Sequence, residues 1–377
     1  MEITRIALAG ADCSGKSSAE SFLRKKLRKL GYYFVFVPEG ATRIITQYGV
    51  NPGRMRRENP EQYHLFQKLI IETHLREEDL AIENALHFAD SDKVVICYDR
   101  GVMDARAYMD KDDFTSLIRE MGYGVVELRD ARYDLVCHLV TAADGALAAY
   151  KKNLHNNPAR KNRPPADAIA VDRWIKNAWL GHPHYRIIDN STDFNGKMRR
   201  LLEVIKKALG IPEKIEAERK FLVHSPPDKI GLPVPSMPIE IRQMYLKGGE
   251  RIRIRKRGQR NEGAAFYKTQ KFPTLSQMSS IELEDRIKAK EYRKLAAMKD
   301  PELEEIYKIR HHFIHENQYF ELDQFLSPAR LKGLWLLEIE LTNESDKVKL
   351  PAWLGPVTEV TADKRYKNRK LAKKPLP

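Results

Sequence analysis

The stretch IALAGADCSGKSSAESFLRKKLRKLGYYFVFV, Ile6–Val37, decides the fold of the first half of the chain. A short apolar strand runs into a glycine-bounded loop, an amphipathic helix follows to about Gly31, and a second apolar strand follows that. This order is a βαβ unit, the building block of an open α/β sheet. The loop GADCSGKS, Gly10–Ser17, satisfies GxxxxGK[ST]. Gly10 and Gly15 let backbone amides curve around phosphate oxygens, Lys16 neutralises the distal phosphates, and Ser17 reaches Mg2+. Gly10, Ala11, Asp12, Cys13, Ser14, Gly15, Lys16, Ser17 and Ser18 form the candidate nucleotide-binding segment. Asp12 is unexpected there, because a carboxylate disfavours a nearby phosphate unless it points away or binds an acceptor.

The alternation continues outward. Tyr63, Phe66, Ile70, Ile71, His74 and Leu75 recur at helical spacing in a stretch ending near Phe88. KVVICYDR (Lys93–Arg100) and DLVCHLVTA (Asp134–Ala142) read as buried parallel strands, and HYRIIDNS (His184–Ser191) as the last strand before a closing helix. Asp99 falls at the carboxyl end of its strand, where open α/β sheets place ligands, so it is a candidate for magnesium or for an acceptor proton. Arg100 is a candidate for a phosphate or an acceptor group. Asp104 reads equally as a helix cap, and Glu39 and Arg43 read as acceptor or metal contacts or as surface residues. The basic segment Tyr150–Pro165, with Lys151, Lys152, Arg160, Lys161 and Arg163, reads as a lid over phosphates or as a solvated loop.

At LGIPEKI the pattern changes to short alternating strands, which places a boundary near Pro212 and gives domains 1–211 and 212–377. EAERKFLV, EIRQMYL, RIRIRKR, AAFYKTQK, SSIELEDRI, IYKIRHHFI, QYFELDQF and LWLLEIEL are the candidate strands, enough to close a barrel that holds a small ligand. Residues two apart share a face, so Glu216, Glu218 and Lys220 project together, the carboxylates about 7 Å apart. Glu282 with Glu284, and Glu338 with Glu340, repeat the pattern. Arg251, Arg253 and Arg255, Thr269 and Lys271, and Lys308 and Arg310 supply the opposite sign. With these faces inward the interior suits a triphosphate held by cations, with glutamates gripping Mg2+ or Mn2+. With them outward the barrel packs on an apolar interior, and period alone does not choose.

The 42% hydrophobic content of 377 residues fills two cores, and 66 Lys and Arg against 52 Asp and Glu give +14, a bias toward anionic partners. Three cysteines without a CxxC pair suggest neither a disulfide framework nor a zinc site. Without an apolar run of the roughly 20 residues a membrane span needs, a soluble cytoplasmic protein, at most peripheral at membranes, is expected.

The first half resembles P-loop nucleotide and nucleoside kinases, particularly the NadR-like kinase and ATPase group, through GADCSGKSS, VPEGATR and VVICYDRGVMD. That resemblance implies ATP or GTP bound with Mg2+ and phosphoryl transfer, with Lys16 and Ser17 on the nucleotide and Asp99 catalytic; Lys16, Asp99 and Arg100 are the candidate catalytic residues of this half. EAERKFLV resembles the ExExK signature of CYTH domains, the triphosphate tunnel metalloenzymes, and the later strands follow in that family's order. The implied fold is an α/β P-loop domain with a parallel sheet and flanking helices, followed by an α+β domain built on an eight-stranded antiparallel β-barrel tunnel. The resemblance implies metal ligands in Glu216, Glu218, Glu282, Glu284, Glu338 and Glu340, and phosphate contacts from Lys220, Arg251, Arg253, Lys271, Lys308 and Arg310. The implied reaction is metal-dependent hydrolysis of tripolyphosphate or a nucleoside triphosphate, with Glu216, Glu218 and Lys220 at its centre. Ser280 departs from the family, which usually has Arg there, and Asp323 is expected to be a supporting partner. The order of the halves also resembles GTP-binding proteins described in flies that act in membrane-protein trafficking and bind acidic phospholipid, so a nucleotide-regulated anion binder is the alternative. An RNA-end kinase and triphosphatase is a third reading, and nucleic acid is not favoured because aromatic residues do not interleave the basic ones.

Overall fold

The computed structural model describes residues 1–153, 163–213, 215–225, 232–248, 252–276 and 278–374. The chain forms two compact units, Met1–Gly124 with Arg132–Leu202, and Val125–Ala131 with Glu203–Pro377.

In the first unit, strands β1 (Glu2–Ala9), β2 (Tyr33–Val37), β3 (Lys93–Asp99), β4 (Leu135–Leu139) and β5 (Tyr185–Ile188) form a parallel sheet in the order β2-β3-β1-β4-β5. Ile6, Ala7, Leu8 and Ala9 are fully buried at its centre, as expected for an apolar strand covered on both faces. The flanking helices are α1 (Lys16–Lys29), α2 (Gly40–Gln47), α3 (Pro52–Glu58), α4 (Pro60–Phe88), α5 (Lys111–Glu120), α6 (Leu147–Asn153), α7 (Pro165–Ala178) and α8 (Phe194–Ala208). Local chemistry starts them: Asn51 and Asn59 accept from Arg54 and Gln62 backbone N–H at 3.0 and 3.1 Å, each followed by a proline at the first helical position. Because β1 has β3 on one side and β4 on the other, chain direction switches at its carboxyl end. A crevice forms at such a point, and the Gly10–Gly15 loop occupies it.

In the second unit, β6 (Ile215–Val223), β7 (Ser236–Tyr245), β8 (Ile252–Gly258), β9 (Ala264–Pro273), β10 (Ser279–Ile287), β11 (Ile306–His315), β12 (Gln318–Ser327) and β13 (Trp335–Leu341) close into an antiparallel barrel in the order β10-β9-β8-β7-β11-β12-β13-β6. Pairing of Ser280 with Glu216 seals the β10–β6 seam. A short strand, β14 (Val357–Glu359), adds to the other half of the same β6 edge. Glu316 and Asn317, both at positive φ, make the two-residue turn between β11 and β12 that the twist of paired strands favours. All eight expected strands are present. Ala217, Phe221, Val223, Phe320, Leu322, Leu337 and Ile339 pack together on the outer face of β6, β12 and β13. Their alternate neighbours are the charged residues, so the barrel is inverted relative to an ordinary soluble one, with its core outside and its charges within. Among the described residues no helix is long and apolar enough to cross a membrane.

Candidate functional site

The P-loop of the first unit is held by its own lysine and by two helices. Gly10 (φ 136°) and Gly15 (φ 99°) take conformations that L side chains resist, and a Cβ at Gly10 would lie 2.3 Å from the Leu139 carbonyl oxygen. Buried Lys16 Nζ donates to Gly10 O at 2.8 Å and stands 3.7 Å from Asp99 Oδ1, so the loop cation and the carboxylate ending β3 share one site. Ser17 and Ser18 are exposed on the first turn of α1. Behind the loop, Asp172 of α7 accepts from Ala11 N–H at 3.1 Å and lies 3.1 Å from His138 and 3.4 Å from Lys176. Burial alone would raise the Asp172 pKa, but His138, Lys176 and the Ala11 N–H hold it well below the usual carboxylate range. Lys197 of α8 donates to Ser14 O (3.0 Å), Val140 O (2.6 Å) and Asn190 Oδ1 (2.9 Å), and burial pushes its ammonium down to about 8.

A cleft of about 1130 Å³ opens beside the loop within the same unit. Asp12, Glu39, His74, Arg100 and Asp104 line its polar part, and Ile45, Val50, Phe66, Ile70 and Val171 its apolar walls. Arg100, at φ 75°, pairs with Glu39 at 2.6 Å and approaches Asp104 at 3.8 Å. Burial works against the Glu39 charge, but Arg100 and then Lys16 keep its pKa below normal, so this carboxylate is ionised at the cleft wall. Asp104 does not cap a long helix. It is buried in a 3-10 turn, accepts from Trp179 Nε1 at 2.5 Å, and burial lifts its pKa to about 6 despite Arg100. Asp12 resolves by pairing: Arg163 lies 3.0 Å from its carboxylate. Arg43 turns away to Glu77 of α4. Of the other residues in the expected lid, Lys151 and Lys152 belong to α6, and Arg160 and Lys161 lie outside the described residues.

Inside the barrel of the second unit the charges interlock. Lys220 lies 2.7 Å from Glu338 and 3.9 Å from Glu218, and Arg253 donates to Glu282 at 2.6 Å. Lys271 bridges Glu282 and, at 3.6 Å, Glu216. Arg310 donates to Asp323 and Glu338 at 2.7 and 2.6 Å, and Lys308 pairs with the same Asp323. Thr269 donates to Glu284 at 2.7 Å, with Arg255 4.0 Å away. Arg251 lies outside the described residues. Lys220, Arg253, Glu282, Lys308, Arg310, Asp323 and Glu338 are buried, so the charged faces line the interior. Carboxylates crowd at one point. Burial, and then the neighbouring Glu282 and Glu340, raise the Glu216 pKa well above the normal value. Such a site gains when a cation enters, because a positive charge removes the repulsion. Among the described residues no three carboxylate, imidazole or thiol groups already stand in metal-holding geometry. The lysines and arginines occupy the carboxylates instead.

The family of the first half follows from comparison with known proteins. A family model described as an AAA domain matches residues 5–197, more than half of the chain. The chain belongs to that family. Its C-terminal region belongs with inorganic triphosphatases of the CYTH type. The inorganic triphosphatase of Nitrosomonas europaea is 35% identical over 161 residues, 42% of this chain and 96% of that protein. That of Acetivibrio thermocellus is 43% identical over 70 residues, 19% of this chain, and the match spans 42% of the relative's own length. Solved structures of a hypothetical protein and of an inorganic triphosphatase, 31% and 32% identical, each cover 42% of this chain and 97% and 93% of theirs, with TM-scores of 0.30 and 0.29.

Sequence reasoning singled out none of Asp172, His138 and Lys197, because residues that brace a loop from behind follow no fixed spacing from it. Arg257 and His312 were within reach, since each continues the inward register of RIRIRKR or KIRHH by two residues.

Proposed function

We propose that the chain is a two-site phosphate-chain protein, a metal-dependent triphosphatase in its barrel and a nucleotide-binding, phosphoryl-transferring site at its P-loop. The observation that carries the first part is the inward charge of the barrel, whose buried cations lie within about a hydrogen bond of buried glutamates. In a low-dielectric interior such a wall has a use when a polyanion takes over the cations. Lys220, Arg253, Lys271, Lys308 and Arg310 would bind phosphate oxygens, and the glutamates they release, Glu216, Glu218, Glu282, Glu284, Glu338 and Glu340, would hold Mg2+ or Mn2+. The crowding of Glu216 by Glu282 and Glu340 fits such a cation. The metal supplies charge neutralisation at the phosphate oxygens. Lys220 and Arg310 stabilise charge developing on the departing bridge oxygen, and the packed walls hold the chain in line for attack by water.

For the P-loop unit, the second reading of phosphoryl transfer rests on the cleft beside Lys16, which is large enough for an acceptor as well as water. Lys16 and Ser17 would hold ATP or GTP and its Mg2+, with Asp99 and Arg100 at the reacting end. The test is phosphate release from tripolyphosphate by the full chain with Mg2+ or Mn2+ and with chelator. Release that requires metal is the expected outcome. A folded chain that binds tripolyphosphate and releases nothing under either metal overturns the hydrolase reading and leaves an anion-binding protein.

A further inference from the structure

One segment of the second unit comes from far away in the chain. Residues Val125–Ala131 lie in sequence between α5 and β4, yet they are packed in the barrel unit. Val126 N–H donates to Glu262 O at 3.3 Å, and its side chain packs on Ala265 and Tyr267. Tyr267 hydroxyl donates to Asp130 O at 3.3 Å. Arg129 and Asp130 are buried, with Arg129 Nε 2.5 Å from Asp130 Oδ1 and its Nη1 donating to Gln259 at 3.3 Å.

These residues meet the last inward layer of the barrel. Arg257 donates to Asp130 Oδ2 at 3.2 Å and to His312 Nε2 at 2.8 Å, so the imidazole is neutral and accepts through that nitrogen. His312 Nδ1 lies 3.7 Å from Glu321, which pairs with Arg310. Asp130, Arg257 and His312 thus stand against the ion-pair run of Glu321, Arg310, Glu338 and Lys220. Of the inner charges, the Lys271 and Glu218 side chains are 31% and 44% exposed, against 0% for His312 and 2% for Lys308. Their exposure puts the opening beside β6 and β9.

We infer that Val125–Ala131 is the stopper of this barrel and sets the length of phosphate chain it accepts: the interior is a blind pocket, so chains enter by one end and do not thread through. The inference rests on reading the barrel as the phosphate-chain site. A pocket stopped by buried Arg129, Asp130, Arg257 and His312 gains nothing from phosphates beyond those that fill it.

Calorimetric titration of the full chain with tripolyphosphate and with long-chain polyphosphate, both counted as chain ends and with Ca2+ in place of Mg2+ or Mn2+ to compensate the carboxylates while suppressing turnover, tests this. Only binding displaced by tripolyphosphate is scored, which removes adhesion to the basic surface. The wild-type chain should bind the two within about twofold of each other. In Arg129→Ala/Asp130→Ala, which empties the stopper, the long chain should gain about tenfold while tripolyphosphate stays unchanged, and Arg129→Met/Asp130→Leu, which keeps the volume, should behave as wild type. A wild-type preference of about tenfold or more for the long chain overturns the stopper without recourse to any variant. So does an emptied variant, folded by its thermal transition, that keeps the wild-type ratio. Failure of tripolyphosphate to bind at all overturns the reading of the barrel itself, and the stopper with it.

Discussion

On the proposed reading the two units would meet the same problem, a chain of phosphates, with opposite materials. At the P-loop, backbone amides and one lysine would do the work, and the supporting charges, Asp172 and Lys197, lie behind the loop. In the barrel, side chains on several strands would do it, and Lys220, Arg253 and Arg310 each already have a carboxylate. The first site is preformed, because the conformation of glycines and the start of a helix create it. The second is self-compensated, so a ligand there exchanges one set of ion pairs for another and needs a cation for the carboxylates left behind. This difference predicts that single changes act differently in the two places.

The largest effect should come from removing carboxylates at the barrel mouth. Glu216→Ala with Glu218→Ala should lower metal-dependent phosphate release from tripolyphosphate by ~10³, while nucleotide affinity of the first unit remains as in wild type. Undiminished release would mean that those glutamates do not hold the metal. Next in size is Lys16→Ala, which should weaken ATP or GTP binding by ~10² and leave tripolyphosphate hydrolysis intact. Joint loss of both activities in a folded variant would break the contrast, because it would make the two sites one.

How far these sites were legible in the sequence follows the same contrast. The P-loop could be read because its chemistry is local: eight consecutive residues carry the glycines, the lysine and the hydroxyl. The barrel strands could be read because Glu216, Glu218 and Lys220 and their counterparts keep a period of two, but which face was inside could not. That depends on what covers the other face, and Phe221, Leu322, Leu337 and Ile339 find their cover only in three dimensions. Partners of high sequence separation left no trace. Asp130 is 127 residues from Arg257, and Lys197 is 183 from Ser14, so neither pairing imposes a pattern on neighbouring residues.

Lys197 gives the smallest and sharpest test. A trans peptide points its C=O and its N–H in opposite directions, so holding Ser14 O from behind aims the Gly15 N–H toward the phosphate side of the loop. Lys197→Met keeps the length of the chain and removes the donors, and nucleotide affinity should fall about tenfold with barrel hydrolysis unchanged. Stability should move differently from binding. Because burial lowers the folded-state pKa to about 8 from an ordinary value of 10.5, the unfolded chain holds the extra proton between those values. The wild-type unfolding free energy should therefore rise over that interval relative to the Met variant. A variant that lost stability at neutral pH and kept its nucleotide affinity would make Lys197 a packing residue; one that lost affinity and kept its stability would show that the loop is aimed by a charge that never touches the ligand.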